Sequence, residues 1–269
     1  MITSVLKAFE ILETFTPQAP IMSLSEISKQ LGYPKTTVYT ILATLVHKGI
    51  VEHMGNGKYA LGTAIISMTQ AVRINVQLRD RAAPLLRELA DSCRESVYLT
   101  ILDGTSCLYI YAVESPDRLL ARTAIGDKSP LYCTSAGKAI LSFLPHEEVK
   151  NLFESTPLIP YNDNTITNLD NLITELAESR ERGYAIDNEE HEKGLYCLGS
   201  PIFNDVGNVI GACSISGANS KILGIKKELF SSYIRFTALE ISRRMGFVPS
   251  GNKRIWNEIK NPLRNRSLK

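Results

Sequence analysis

Residues 187–192 read Asp-Asn-Glu-Glu-His-Glu and set four carboxylates and one imidazole in six positions. Donors this dense suit a divalent metal, acid–base work on a bound substrate, or a solvated loop, and spacing alone leaves all three open. A metal needs converging geometry that one loop seldom supplies, so no metal site is assigned. Cys197 follows closely, which admits an enzyme acting on a small acid with Asp187 or Glu190 as base and Cys197 as nucleophile. Against this alternative, the chain has no G-x-S-x-G elbow, no H-E-x-x-H and no glycine-rich phosphate loop, and His47, His53, His146 and His191 are scattered along it. No catalytic residue and no cofactor is assigned.

A second candidate is residues 134–138, Thr-Ser-Ala-Gly-Lys, directly after the apolar Leu131-Tyr132-Cys133. A helix opening there presents free amide donors that suit a carboxylate, while ordinary N-capping by Thr134 or Ser135 explains the same residues without a ligand. Arg118 and Arg122 are candidate carboxylate partners. The five cysteines are odd in number, dispersed and without a C-x-x-C pair, which predicts buried thiols in a reducing compartment. No run of apolar residues is long enough for a membrane helix, so the expected location is cytoplasmic with no membrane partner.

The elements that would position these groups fall into two patterns. In the first sixty residues, Val5, Phe9, Leu12 and Phe15 lie at helical spacing before Pro17. Ser23 and Glu26 form the two halves of a capping box opening a short second helix, in which Leu24, Ile27 and Leu31 share a face. Gly32 and Pro34 then turn the chain into a third helix running to Lys48, with Val38, Ile41, Leu42 and Leu45 facing inward. Lys35, Thr36, Thr37, Tyr39 and Thr40 remain at its exposed start. Two strands, residues 50–53 and 58–61, flank a glycine-rich turn. This order predicts a winged helix-turn-helix over residues 1–62 whose third helix enters a DNA major groove. Ser25 joins the DNA-contacting candidates, with His53 and Lys58 of the wing as phosphate contacts. Five lysines against four glutamates make this segment barely basic, so two copies on one palindromic operator are expected.

Residues 63–94 continue at helical spacing with an interruption expected at Pro84, giving a linker helix over 63–80. Beyond it, alternating strands at 96–102, 107–113, 119–125, 183–186, 196–203 and 209–216 are flanked by amphipathic helices at 135–144, 168–182 and 221–245. The prediction is an α+β domain over 81–248, an antiparallel sheet with flanking helices. Residues 249–269 form a basic tail, expected to be disordered.

The order Ser-Leu-Ser-Glu-Ile, Gly-Tyr-Pro-Lys-Thr-Thr-Val-Tyr, Leu-x-x-Lys-Gly-Ile-Val, wing, Tyr-Ala-Leu-Gly resembles the DNA-binding domain of the IclR family of bacterial transcription regulators. Gly183, Asp187, Glu190, Cys197, Leu198, Gly199, Ile202, Phe203 and Asn204 fall at the spacings of that family's signature, and residues 134–139 match its effector-domain helix start. The resemblance implies a GAF-like effector-binding fold and a homodimer, or a tetramer, on double-stranded operator DNA. It implies control of a catabolic operon, with repression the commoner mode, by a sugar acid, keto acid or aromatic acid. It also implies that Ser135, Ala136, Asp187, Cys197, Ser214 and Ser216 line the pocket. Ser129 stands at a wall position that is usually apolar, which favours a ligand richer in hydroxyls. Thr40 stands where relatives commonly carry Arg, so base readout should differ from theirs.

Overall fold

A computed structural model describes residues 1–69, 73–115, 125–154, 156–249, 256, 259 and 261–263. The chain divides into two compact units, Met1–Val76 and Gln77–Lys269.

The first unit contains α1 (Thr3–Glu13), β1 (Ile21–Ser23), α2 (Leu24–Leu31), α3 (Lys35–His47), β2 (Val51–Gly55), β3 (Lys58–Leu61) and α4 (Ala64–Thr69). The expected capping box opens α2: Glu26 N–H donates to Ser23 Oγ at 3.2 Å, and Ser23 N–H donates to the Glu26 carboxylate at 2.7 Å. Gly32 ends α2 at a φ of 69°, the left-handed value that lets α3 begin after so short a turn. Ile11, Phe15, Met22, Ile27, Val38, Leu42, Val51 and Tyr59 form the core, with Ile41 and Leu45 packed against it. The wing turn takes positive φ at Gly55, Asn56 and Gly57.

Two features differ from the sequence reading. β1, only three residues long, pairs with β3 and makes the wing sheet three-stranded in the order β1-β3-β2. In α1 the buried positions are Ile11 and, just beyond it, Phe15, while Val5 and Phe9 are exposed. The helix is apolar on two sides, and periodicity alone does not say which side the core takes.

The second unit follows α5 (Arg73–Cys93) with β4 (Ser96–Asp103), β5 (Ser106–Val113), β6 (Lys128–Pro130), α6 (Ser135–Leu141), α7 (His146–Phe153), α8 (Leu169–Arg182), β7 (Ala185–Asn188), β8 (Tyr196–Phe203), β9 (Val209–Gly217) and α9 (Lys227–Arg244). Six strands form an antiparallel sheet in the order β6-β5-β4-β9-β8-β7. On one face α5 and α9 bury Leu86, Leu89, Ile234 and Ile241 against Val97, Leu99, Cys213 and Ile215. On the other, α6, α7 and α8 enclose a second cluster around Leu131, Ile140, Val149 and Leu172.

Pro84 lies inside α5 rather than interrupting it. Both Pro84 and Asp80, whose carbonyl loses its donor, are exposed, so this side of the helix is open to solvent. The strand expected at 119–125 falls, except for Ile125, outside the described residues, as do Arg118 and Arg122. The helix expected from residue 221 starts at Lys227, after a single 3-10 turn over Ser220–Ile222. Within the tail expected to be solvated, Trp256 is buried against Phe203, Phe247 and Phe143, and Leu263 is buried against the α5–α9 core. A large aromatic ring gains more by leaving water than the flanking basic residues resist.

Candidate functional site

The first unit presents the start of α3 outward. Lys35, Thr36, Tyr39 and Thr40 are exposed and Thr37 is half-buried, while Val38 and Leu42 on the opposite side hold the helix to the core. Thr40 Oγ1 donates to the Thr36 carbonyl at 2.9 Å, so its proton is engaged and its methyl and lone pairs face outward. Ser25 is exposed in the first turn of α2. His53 packs edge-on against Tyr59 at 5.0 Å, and its Nδ1 accepts the Gly55 N–H at 3.3 Å, leaving Nε2 for a partner. Lys58 is exposed across the turn.

In the second unit, the α6 face of the sheet carries alternate residues from three adjacent strands. Tyr98 on β4 pairs with Ser214 on β9, which pairs with Gly199 on β8. Cys197 pairs with both Ser216 and Asp187. Gly199 lets α6 close over them, since a Cβ there would stand 2.5 Å from the carbonyl carbon of Ser135. The enclosed cavity is about 60 Å³. Ser129, Ser135, Ala136, Asp187, Cys197, Ser214 and Ser216 all line it. Tyr98, Tyr109, Thr134, His191, Glu192 and Leu195 complete the described wall. The sequence reading missed the two tyrosines. Tyr98 stands opposite Ser214 and Tyr109 opposite Thr100, positions set by the β4–β9 and β4–β5 registers, which no local pattern reveals.

Thr134 caps α6, its Oγ1 accepting the Gly137 N–H at 3.2 Å, so the bland reading of this motif is fulfilled. Ser135 and Ala136, which follow the cap, line the cavity.

The acidic run separates into distinct roles. Asp187 is 1% exposed, and its Oδ1 accepts the Glu190 N–H at 2.9 Å. Burial pushes its carboxyl up to about 7, the Glu190 amide opposing and the Glu190 charge adding to the rise. Glu190 turns away to Lys138, which is 1% exposed on α6, with Nζ 2.5 Å from Oε1. Burial raises the Glu190 carboxyl too, and Lys138 resists that rise. Thr165 fastens the loop by donating to the Glu190 carbonyl at 2.5 Å. Lys138 also escaped the sequence reading, although a lysine in the otherwise small and apolar stretch Ser135–Leu141 was a usable signal. His191 stacks edge-on against Tyr161 at 4.8 Å, and burial lowers its pKa. Among the described residues, no three His, Cys, Asp or Glu side chains converge as metal ligands.

The five cysteines are buried thiols outside any disulfide, and burial pushes those of Cys93 and Cys107 up to about 11 and about 12. Ser216 Oγ donates to Cys197 Sγ at 2.8 Å.

The IclR helix-turn-helix domain matches residues 4–55, and the bacterial transcriptional regulator IclR C-terminal domain matches residues 70–243. The chain belongs to the IclR family. It is a DNA-binding transcriptional regulator, α+β in its second unit. The HTH-type transcriptional regulator XynR of Escherichia coli is 32% identical to it over 92% of this chain and 98% of that protein. The crystal structure of the Thermotoga maritima IclR superposes on the regulator with a TM-score of 0.77 at 35% identity, over 92% of this chain and 100% of that one. An IclR homolog from Microbacterium hydrocarbonoxydans, complexed with 4-hydroxybenzoate, shares the fold with a TM-score of 0.82 at 22% identity, over 90% of this chain and 98% of its own. Among the described residues, no helix is long and apolar enough to cross a membrane.

Proposed function

We propose that the regulator is a cytoplasmic repressor of a catabolic operon, released from or held on its operator by a small organic acid bound in the second unit. The observation that carries the effector half of this reading is the convergence of Ser129, Ser135, Ala136, Asp187, Cys197, Ser214 and Ser216 on one cavity. Its wall is rich in hydroxyls and includes the first residues of α6, a lining suited to a carboxylate that also bears hydroxyl or keto groups. The aromatic acid named for the Microbacterium homolog supports the general class. A cavity of about 60 Å³ favours a compact aliphatic member here, such as a short keto or sugar acid.

In the DNA-binding half, Lys35, Thr36, Thr37, Tyr39 and Thr40 read the major groove. Ser25, His53 and Lys58 fix the backbone. The regulator acts as a homodimer. Ile2, Val5, Leu6 and Phe9 form an exposed stripe along α1, and Ile66 and Met68 are exposed on α4, which is more apolar surface than an isolated head leaves in water. The chemistry is binding without turnover, and the elevated pKa values of the buried thiols of Cys93 and Cys107 fit inert core roles.

The test is an operator titration with and without candidate acids. An effector changes operator affinity through its unequal affinity for the two states of the protein, commonly by about 5- to 150-fold. Acids that bind the wild type but leave operator affinity unchanged would refute the control claim. Turnover of a bound acid, lost in Cys197→Ser, would favour the enzyme reading instead.

A further inference from the structure

Among the described residues, the wall of this cavity offers an organic acid hydroxyls but no fixed positive charge. Among the described residues that line it, none is Lys or Arg, and two, Asp187 and Glu192, are acids. Burial lowers the pKa of His191, so it supplies no dependable cation. The buried cation of the region is already engaged: Lys138 stands 2.5 Å from Glu190 and 3.7 Å from Glu175. Arg182 lies 2.5 Å from Glu175 on its other side. With Glu178 3.6 Å from Arg182, two cations thus face three anions. An ionised Asp187 would be a further negative charge sharing Lys138, whose charge lowers its pKa, with Glu190, and a ligand carboxylate beside it would add another.

Around Asp187, burial and the Glu190 charge outweigh three influences that favour its ionised form: the Glu190 amide, the Lys138 charge and the Cys197 thiol. Tyr109 on β5 and Cys133 before α6 are pushed up by burial and stay neutral. From its own loop, Glu190 contributes an opposing charge along with its amide. From β8, the Cys197 thiol bonds to the carboxyl, and Ser216 on β9 donates to that sulfur. Lys138 on α6 bonds to Glu190.

We propose that the cavity takes its acid as a monocarboxylate together with one proton, held on Asp187 and donated from its carboxyl to a carboxylate oxygen of the ligand. Two carboxyls then share one proton, the arrangement by which like-charged acids coexist at close range. The inference rests on the organic-acid reading and narrows it. A dicarboxylate brings a second charge with no proton to meet it, so the site selects monocarboxylates, and Asp187 is the residue that determines this selectivity.

The proton also fixes the sign of the pH dependence. Where free Asp187 is protonated, binding is independent of pH. Where it is ionised, each ligand bound draws a proton from solvent and affinity falls tenfold per pH unit. The experiment is calorimetric titration of the full chain with glycolate, pyruvate, D-gluconate and malonate from about pH 5.5 to about pH 8.5, a range that brackets the Asp187 carboxyl, in buffers of low and high ionisation enthalpy. The expected result is a monocarboxylate affinity that is level at the acid end and falls about tenfold per unit at the alkaline end, with uptake of close to one proton per ligand there. Malonate should bind more weakly than the monocarboxylate that binds best. Asp187→Asn should bind with no proton uptake and a flat profile. A wild-type affinity that is flat or rises with pH, or binding at alkaline pH without proton uptake, would overturn the proposal while leaving the organic-acid reading intact. Failure of every acid at every pH would instead remove the organic-acid reading, and the linkage with it. Should Asp187→Asn lose binding altogether, proton uptake by the wild type still decides.

Discussion

Thr40 and Lys35 share a helix start but should fail differently when truncated. The Thr40 hydroxyl proton is committed to the Thr36 carbonyl, so what it offers DNA is a methyl group and acceptor lone pairs, a combination suited to a thymine methyl. Thr37→Ala and Thr40→Ala should therefore alter sequence preference, by about 1 to 3 kcal/mol at one base pair, while leaving affinity for random DNA unchanged. Lys35→Ala and Lys58→Ala should weaken specific and random sites alike and lower the salt slope by about 0.9 each. Binding measured across a salt series on operator and scrambled duplexes separates the two groups, and equal behaviour of all four variants would contradict the assignment. Asp187 makes a second residue-scale prediction, about stability. Burial raises its carboxyl in the folded state from an ordinary 3.8 to about 7, so the folded chain binds the proton more tightly than the unfolded chain does. Stability from this group is fully present below about pH 4 and is lost as pH rises through about 7, by up to about 4 kcal/mol. Asp187→Asn should thus unfold at higher temperature than wild type at about pH 8.5, well above that value, and show a smaller advantage in mild acid, measured by circular dichroism melts.

At the scale of elements, the cavity depends on how closely α6 can approach β8. A methyl group at Gly199 would overlap the backbone of Ser135 and Ala136 at 2.5 to 2.7 Å, and backbone cannot swing aside as a side chain can. Gly199→Ala should displace the start of α6, cost about 1 to 3 kcal/mol of stability, and weaken acid binding well beyond that of a surface control. Glycolate titration alongside thermal melts would reveal it. How much of this was legible beforehand follows from the range of each signal. The capping box at Ser23 and Glu26, Gly32 and the wing turn are local, and each element they bound formed where the residues require. Pro84 misled because its effect depends on which face of α5 meets water. Tyr98 and Tyr109 stayed hidden because strands far apart in sequence meet only in the sheet. Trp256 was obscured by its basic neighbours, although one large aromatic in a charged tail is itself a sign of docking. Trp256→Ala should cost about 3 to 5 kcal/mol by emptying a site bounded by Phe143, Phe203 and Phe247.

At the scale of the whole molecule, the weak charge of the first unit decides what assembly the function needs. Five lysines against four glutamates cannot neutralise enough phosphates for one head to hold a site in competition with bulk DNA. A second copy supplies the remainder through effective concentration, which multiplies affinity by about 10² to 10⁴ without any new type of contact. The stripe Ile2, Val5, Leu6 and Phe9 repeats at helical spacing, and Phe9 is 60% exposed, so replacing it removes little from the core. Phe9→Glu should therefore leave the melting temperature of the chain close to that of wild type. Two copies would then bring two buried carboxylates together across a self-complementary interface, which opposes pairing of the heads. Operator affinity should fall by about a hundredfold or more, while affinity for an isolated half-site stays unchanged. Sedimentation of the variant distinguishes the possible causes. A chain that remains a dimer in solution yet loses the palindrome locates its remaining contacts in the second unit and assigns α1 to spacing the two recognition helices. Full operator affinity in Phe9→Glu would refute a role for this stripe in assembly and leave the exposed apolar face of α1 without an occupant.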